Sequence, residues 1–460
     1  MIFIDREEEL GFLEEQYNNS EAAFVVVYGR RRLGKTTLLQ HFIKGKPSIY
    51  FLATEEAERE NLEEFKSLVA EFARNPLLEK AGNLSWTDVF LELANTATER
   101  RVVLIIDEFQ YLCVANPAFA SVFQKIWDSL LRNRNIMVVL CGSLVSMMES
   151  QALAYSSPLY GRRTGQIRLE QIPFRYYRDF FPNLSDDALI QFYAVTGGVP
   201  RYIEAFSESC DLFQNIENMI LRCESFLYEE PVFLLEKEVT EIGSFFSILK
   251  TIAAGNHKLS AIASRLEVNQ SRLTRYLAVL RQMDLVERRV PVTEEYPEKN
   301  KKGLYFIKDN FIAFWFLFVY PYRSYIEIGN SQVAMDAIRE KFIQNHASYV
   351  FEQICIERLW RLSADGALPV RLTKAGAWWD SKHEIDIIAL NEQSKDIIFC
   401  ECKYHEQPVD MRVLRDLQSK TENVLWCNDQ RKEYFVLFSR NGYEESLRHY
   451  AERVGNIWLL

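Results

Sequence analysis

The sequence has no C-x-x-C pair; its eight cysteines lie scattered along 460 residues. That spacing fits reduced, mostly buried thiols in a cytosol. Cys400 and Cys402 flank Glu401 on an apparent strand and read as packing residues. Positive charge is not in excess either. Lys and Arg number 54 against 64 Asp and Glu, a formal net charge of -10. The surface as a whole is therefore no polyanion trap, and any nucleic-acid contact must come from a local basic patch. The chain does not open on a basic stretch followed by an apolar one, since Asp5 and Glu7 come at once, so no signal peptide is expected. Long apolar runs are missing: Phe311 to Tyr320 spans ten residues, against roughly 20 needed to cross a bilayer. A buried helix is expected there. Internal repeats and low-complexity tracts are absent too. These absences point to a cytoplasmic protein with no membrane contact.

What is present is a globular composition, 48% hydrophobic, 26% charged and 13% aromatic. Such content implies well-filled cores. Single domains usually stop growing at about 250–300 residues, so more than one core is expected. From Ala22 to about Leu169, short β-rich runs alternate with longer amphipathic stretches. The runs are Phe24–Tyr28, Ser48–Leu52, Val102–Ile106, Ile136–Cys141 and Gln166–Leu169. Uninterrupted apolar strands of this kind are covered on both faces, and their alternation with helices argues for a parallel sheet.

Gly29-Arg30-Arg31-Arg32-Leu33-Gly34-Lys35-Thr36 matches G-x-x-x-x-G-K-[ST]. It follows the strand Phe24–Tyr28 and precedes a helical run beginning Thr37-Leu38-Leu39. Glycines let the backbone N–H groups curl inward at phosphate oxygens, and the helix N-terminus adds its positive dipole end. Lys35 is placed to reach the β- and γ-phosphates of ATP, and Thr36 to hold Mg²⁺. Downstream, Val102–Ile106 ends in Asp107-Glu108. Asp107 is then the second Mg²⁺ group, and Glu108 the residue that orients or deprotonates the attacking water. An acid pair at a strand end also suits a helix N-cap.

These elements resemble the AAA+ class of P-loop ATPases, in particular the STAND-like group called archaeal-type ATPases. The resemblance implies further roles. Ser143, after the strand Ile136–Cys141, takes the place of a polar sensor for the γ-phosphate. Arg162 and Arg163 stand where related ATPases carry an arginine facing the phosphates or a neighbouring subunit, so an oligomer is allowed. Thr196-Gly197-Gly198-Val199-Pro200-Arg201 looks like the G-G-x-P turn of a helical lid, with Arg201 as a second sensor. Each of these arginines also suits a plain surface ion pair. The opening Phe3-Ile4-Asp5-Arg6-Glu7-Glu8-Glu9-Leu10 is similar to the family's F-x-x-R-E-x-E-L start, which contacts the adenine edge.

Leu259–Leu266, a turn at Glu267-Val268-Asn269, and Gln270–Met283 read as a helix-turn-helix, with Leu273, Leu277 and Leu280 at helical spacing. A hairpin, Leu285–Val290 and Leu304–Ile307, adds a wing whose loop carries Lys299, Lys301 and Lys302. Arg272, Arg275 and Arg281 lie off the leucine stripe and suit double-stranded DNA; a protein partner is the other reading. Near the C-terminus, strands His383–Leu390 and Asp396–Lys403 carry Glu384, Asp386, Glu401 and Lys403 at period-two spacing. With Glu352 on a preceding helix, they resemble the acid and E-x-K core of restriction-endonuclease-like domains. That resemblance implies a metal held by Glu352, Asp386 and Glu401, with Lys403 beside it. Salt-bridged acids and lysines on a sheet edge would show the same pattern. His383 and His405 have no partners at zinc-ligand spacing.

The expected fold is thus α/β: a P-loop AAA+-type parallel sheet over 1–172, a helical lid over 173–233, a winged helix over 234–310, and an α+β restriction-endonuclease-like domain over 311–460. The expected activity is ATP binding and hydrolysis by a switch coupled to DNA. The alternatives are a metal-dependent nuclease regulated by ATP, or a non-hydrolysing switch acting through protein contacts.

Overall fold

The computed structural model describes residues 4–97, 100–300 and 302–460. Phe3 of the opening motif and Lys301 of the wing loop lie outside the described residues. The chain forms two compact units, 1–171 with 199–201, and 172–198 with 202–460.

In the first unit the five apolar runs build one sheet. β1 (Ala23–Tyr28), β2 (Ser48–Leu52), β3 (Val102–Asp107), β4 (Ile136–Gly142) and β5 (Gly165–Arg168) lie in the order β2-β3-β4-β1-β5. All neighbours run parallel. Every residue of β1, β3 and β4 is buried. That explains why these runs show no polar alternation: helices cover both faces. The edge strand β2 alternates instead, with Ile49 and Phe51 inward.

The covering helices include α1 (Glu7–Asn18), α2 (Lys35–Phe42), α3 (Glu58–Ala73) and α4 (Trp86–Thr96). α4 starts in a capping box, where Ser85 and Asp88 each accept from the other's backbone N–H. Phe65 of α3 and Phe90 of α4 meet at 4.8 Å between ring centroids, and Phe24 of β1 meets Trp127 at 5.1 Å. Such ring pairs add about 0.5–1.5 kcal/mol each beyond area burial.

The strand order has one consequence for function. β4 lies between β1 and β3, so the carboxyl ends of three buried strands deliver Gly29, Ser143 and Asp107 to one edge of the sheet. In open α/β sheets that edge, beside the strand where the order reverses, is where ligands bind.

The second unit is mixed. α5 (Asp186–Thr196) is capped by Ser185. α6 (Phe226–Glu238) runs through Pro231, across the boundary expected at 233. The helix-turn-helix follows α7 (Ile242–Ala253). It consists of α8 (Leu259–Leu266) and α9 (Gln270–Gln282), whose N-terminal N–H of Arg272 is met by the Asn269 side chain. β6 (Val286–Arg289) and β7 (Leu304–Ile307) pair antiparallel as the wing hairpin. The wing loop returns to the C-terminal sheet, where Val292 N–H donates to Ala377 O at 3.0 Å.

The apolar run at Phe311 is helical and buried, as expected, and Trp315 donates its indole N–H to Tyr228 O at 2.8 Å. After α10 (Ser348–Ala364) comes a five-stranded mixed sheet rather than the two strands named from the sequence. It contains β8 (Lys374–Trp379), β9 (Glu384–Asn391), β10 (Asp396–Lys403), β11 (Lys432–Ser439) and β12 (Ile457–Leu459), ordered β12-β11-β10-β9-β8. α11 (Met411–Thr421) and α12 (Glu445–Val454) make the parallel crossovers from β10 to β11 to β12. Among the described residues no helix is long and apolar enough to cross a membrane.

Leu140 sits fully buried in the middle of β4. Leu140→Ala is expected to cost about 2–5 kcal/mol, read as a lowered urea midpoint at unchanged slope. A change below about 0.5 kcal/mol would mean that β4 is not a tightly packed central strand.

Candidate nucleotide site and the C-terminal acid cluster

The loop after β1 is shaped by backbone that side chains disfavour. Gly29 has φ +151° and Gly34 φ +87°. A Cβ on Gly29 would lie 2.5 Å from Leu169 O, so only glycine lets the strand leave there. Lys35 begins α2 and folds back into the loop, donating to Gly29 O at 2.7 Å and Arg30 O at 2.9 Å. Its ammonium is buried, and burial pushes its pKa down against the opposing pull of Cys141, Glu108 and Asp107. A buried cation held only by carbonyls is an incomplete arrangement, and an anion is what completes it.

The acids stand opposite. Thr36 Oγ1 donates to Asp107 Oδ2 at 3.1 Å. The Tyr50 hydroxyl, from β2, donates to the same oxygen. Burial, then the Asp107 charge, push the Tyr50 phenol up. Glu108 takes the left-handed φ of +51° and donates its N–H to Asp107 Oδ1 at 2.9 Å. That turn aims its carboxylate at β4. There it accepts the Ser143 hydroxyl at 2.7 Å, the Ser143 N–H at 3.2 Å, and the Gln110 amide. Lys35, Thr36, Asp107, Glu108 and Ser143 are thus gathered in one hydrogen-bonded region.

The remaining loop residues frame it. Leu33 and Arg30 are buried, and Arg31 donates to the Tyr111 hydroxyl at 2.8 Å. Arg32 is left-handed at φ +68°, and Thr37 continues α2. Pro200, just before Arg201, lies 4.0 Å from where a Gly34 Cβ would be. The segment 199–201 therefore belongs with the phosphate loop.

Two expected arginines are elsewhere. Arg162 is engaged with Asp128 at 2.8 Å, and Arg163 donates to Leu153 O at 3.1 Å. Both line a polar cleft with Ala22 and Asn135, the residues that precede β1 and β4. Of the two places the resemblance offered, the phosphates or a neighbouring subunit, the register sets both arginines away from the phosphate loop of their own chain. β5 runs parallel to β1, with Gly165 opposite Val25, so residues before β5 lie at the amino edge while the phosphate loop lies at the carboxyl edge.

Three groups near the loop were not singled out from the sequence as site residues. Arg6 is buried and donates to Glu170 O at 2.7 Å and Leu33 O at 3.5 Å, tying the opening motif to the loop. Tyr50 and Gln110 hold the two acids. Tyr50 had a signal, a polar-tipped ring at an edge strand's centre; Gln110 had none.

A second cluster lies in the C-terminal sheet. β9 and β10 are antiparallel with Ile387 opposite Cys400, which puts Asp386 beside Glu401. Asp386 Oδ2 accepts the Cys402 N–H at 2.7 Å. Glu401 is buried and accepts Lys403 at 2.7 Å, with Lys420 of α11 at 3.6 Å. Burial, then the Glu401 charge, push Asp386 up to about 6. Burial, then Asp386, push Glu352 of α10 well up. Burial alone would lower Lys403; Glu401 overrides it and leaves the amine raised. The expected three-carboxylate metal set is not assembled: among the described residues no group of three His, Cys, Asp or Glu side chains is placed to hold a metal. Lys403 and Lys420 engage Glu401 instead. His383 pairs with Asp380 at 3.2 Å.

A five-stranded parallel sheet with this loop and these acids at one edge defines a P-loop ATPase domain. Family models agree along the chain. Residues 3–206 match an ATPase domain predominantly from Archaea, residues 247–288 the bacterial regulatory protein arsR family, and residues 315–418 a family described as Archaea bacterial proteins of unknown function. The chain belongs to the archaeal ATPase family that joins these three parts: an uncharacterized protein of Methanocaldococcus jannaschii is 36% identical over 438 residues, 95% of each chain. A second protein of that organism, an uncharacterized ATP-binding protein, is 46% identical over 46 residues, 10% of this chain and 78% of that one. Among solved structures, a Walker-type ATPase of Pyrococcus abyssi superposes with a TM-score of 0.50 at 22% identity, covering 68% of this chain and 96% of that one.

Asp386 generates a pH prediction. Its folded pKa of about 6 lies above the ordinary 3.8, so the fold binds this proton more tightly than the unfolded chain does. The associated stability is complete below the ordinary value and is lost as pH rises through about 6. Asp386→Asn is therefore expected to raise the melting temperature at pH 7 relative to the native protein, with the difference shrinking toward pH 4. A difference constant across that range would contradict the shift.

Proposed function

We propose that the protein is a switch that binds and hydrolyses ATP and couples nucleotide state to DNA binding. The buried ammonium of Lys35, held only by carbonyl oxygens beside the Thr36–Asp107 pair, carries this reading. Lys35 and the loop N–H groups take the phosphates. Thr36 Oγ1 and Asp107 are the groups that hold Mg²⁺, which would neutralise phosphate charge. Glu108 orients the attacking water, and Ser143, which now holds Glu108, meets the γ-phosphate. Arg201, next to Pro200 at the loop, pairs with phosphate charge.

DNA binding rests on the helix-turn-helix. α9 buries Leu273, Leu277 and Leu280 and leaves Arg272, Arg275 and Arg281 exposed. Arg272 is engaged by the exposed Glu241 at 3.3 Å and the half-buried Tyr276 hydroxyl at 2.8 Å, which phosphate oxygens can displace. The second helix of such a motif is the one that enters the major groove.

A second reading has one observation behind it. Asp386, Glu401 and Lys403 converge on adjacent strands, the pattern of a restriction-endonuclease-like domain. In that reading Mg²⁺-dependent DNA cutting is abolished in Asp386→Ala and kept in Lys35→Ala.

Lys35→Ala is expected to weaken ATP binding by at least about tenfold, the scale of a charge-assisted bond. Glu108→Gln should keep binding but slow phosphate release by about 10²-fold or more. Calorimetry and phosphate assay read the two, and normal ATP binding by Lys35→Ala would sink the site. For DNA, Arg272→Ala with Arg275→Ala should flatten the slope of log affinity against log salt by about two, near 0.9 for each phosphate no longer neutralised. An unchanged slope would remove α9 from the interface.

A further inference from the structure

The second unit contains a cavity of about 380 Å³ between the wing hairpin and the C-terminal helices. Its apolar lining includes Ile252 from α7, Phe306 from β7, Leu317 from the buried run, and Val350 from α10. That volume sits in the range of small-molecule sites, roughly 300–1,000 Å³.

Its polar lining includes Asn310, Asn345, Tyr349 and Gln353 beside Arg289, His257 and His346. Among the described lining residues Arg289 is the one with a permanent charge, and its guanidinium lies 4.4 Å from the centroid of the Phe306 ring. His257 stacks on the same ring at 4.2 Å and is bonded through Nδ1 to Tyr305 O at 2.9 Å. His346 bonds Ala194 O at 2.6 Å. Burial lowers the pKa of both imidazoles, that of His346 to about 4, so neither adds charge at neutral pH. Glu287 pairs with Arg289 from the same strand, accepting from Nε at 2.6 Å, and is a third exposed. One cation beside an aromatic plane, with apolar walls around it, matches a flat apolar body bearing one anionic head.

We propose that this cavity binds a small aromatic carboxylate, with its ring among Ile252, Leu317 and Val350 and its carboxylate on Arg289. Arg289 offers a fork of donors, so the ligand carboxylate competes directly with the partly solvated Glu287. Because the walls come from both the wing hairpin and α10, an occupant braces the helix-turn-helix against the C-terminal part.

Calorimetric titration of the full-length protein with naphthoate and with the neutral naphthylmethanol tests this. Naphthoate should bind the native protein at least about tenfold more tightly than the alcohol, the scale of one charge-assisted pair. Arg289→Met should erase that preference. Ala313→Trp, which fills the cavity from its wall, should abolish binding of both. Thermal unfolding of each variant reports an intact fold, and Gln353→Trp, from α10, replaces Ala313→Trp if the latter fails to fold. No binding, equal affinity for acid and alcohol, or binding unchanged by the filled cavity would overturn the proposal.

Discussion

A positive charge stands in the interior of the first unit with backbone carbonyls as its hydrogen-bonding partners. Placing Lys35 there is costly unless an anion shares the space, and the sheet is built so that one can. Gly29 leaves β1 by a path no side chain tolerates, because Leu169 O closes on it. β4 separates β1 from β3, so the acids approach across the width of a strand rather than directly. A carboxylate in direct contact with Lys35 would satisfy the charge internally and close the site. Instead Asp107 is occupied by Thr36 and Tyr50, and Glu108 by Ser143 and Gln110. The cation and the acids are neighbours, each held by neutral partners.

Much of this was legible in the sequence because both halves of the site obey strong local rules. Uninterrupted runs such as Val102–Ile106 require two covered faces, which implies a parallel sheet, which in turn places strand ends and loops. The phosphate loop is tied to residue types by backbone geometry alone. The helix-turn-helix was equally readable, since its leucines mark one buried face and Glu267-Val268-Asn269 marks the turn. Arg162 and Arg163 show what strand direction adds to analogy. A residue that precedes a parallel strand lies at that strand's amino edge, and the register of β5 on β1 was enough to say so. Tyr50 and Gln110 stayed hidden because their roles depend on which strands are neighbours, and strand order is not a local property.

The C-terminal part was half legible. Period two in β9 and β10 placed Asp386, Glu401 and Lys403 on one face, and the antiparallel register puts Asp386 beside Glu401. The sequence could not show Lys420, which arrives from a crossover helix and contributes a second amine to Glu401. Nor could it show β8, whose Lys-Ala-Gly-Ala start carries little strand signal; it is a strand because β9 offers it an edge. Charge balance in this cluster is thus set by elements far apart in the chain: Lys403 and Lys420 oppose the upward push that burial and Glu401 give Asp386.

The wing offers a different lesson. β8 lies at the rim of its sheet, with a row of backbone groups that nothing within the sheet pairs. The chain just past β6 reaches that rim, bonds Ala377 through Val292, and packs the Val292 side chain onto the apolar core beneath. An unpaired rim is a template for stray strands from other molecules. The segment past β6 therefore covers part of that rim, where a stray strand would otherwise find partners.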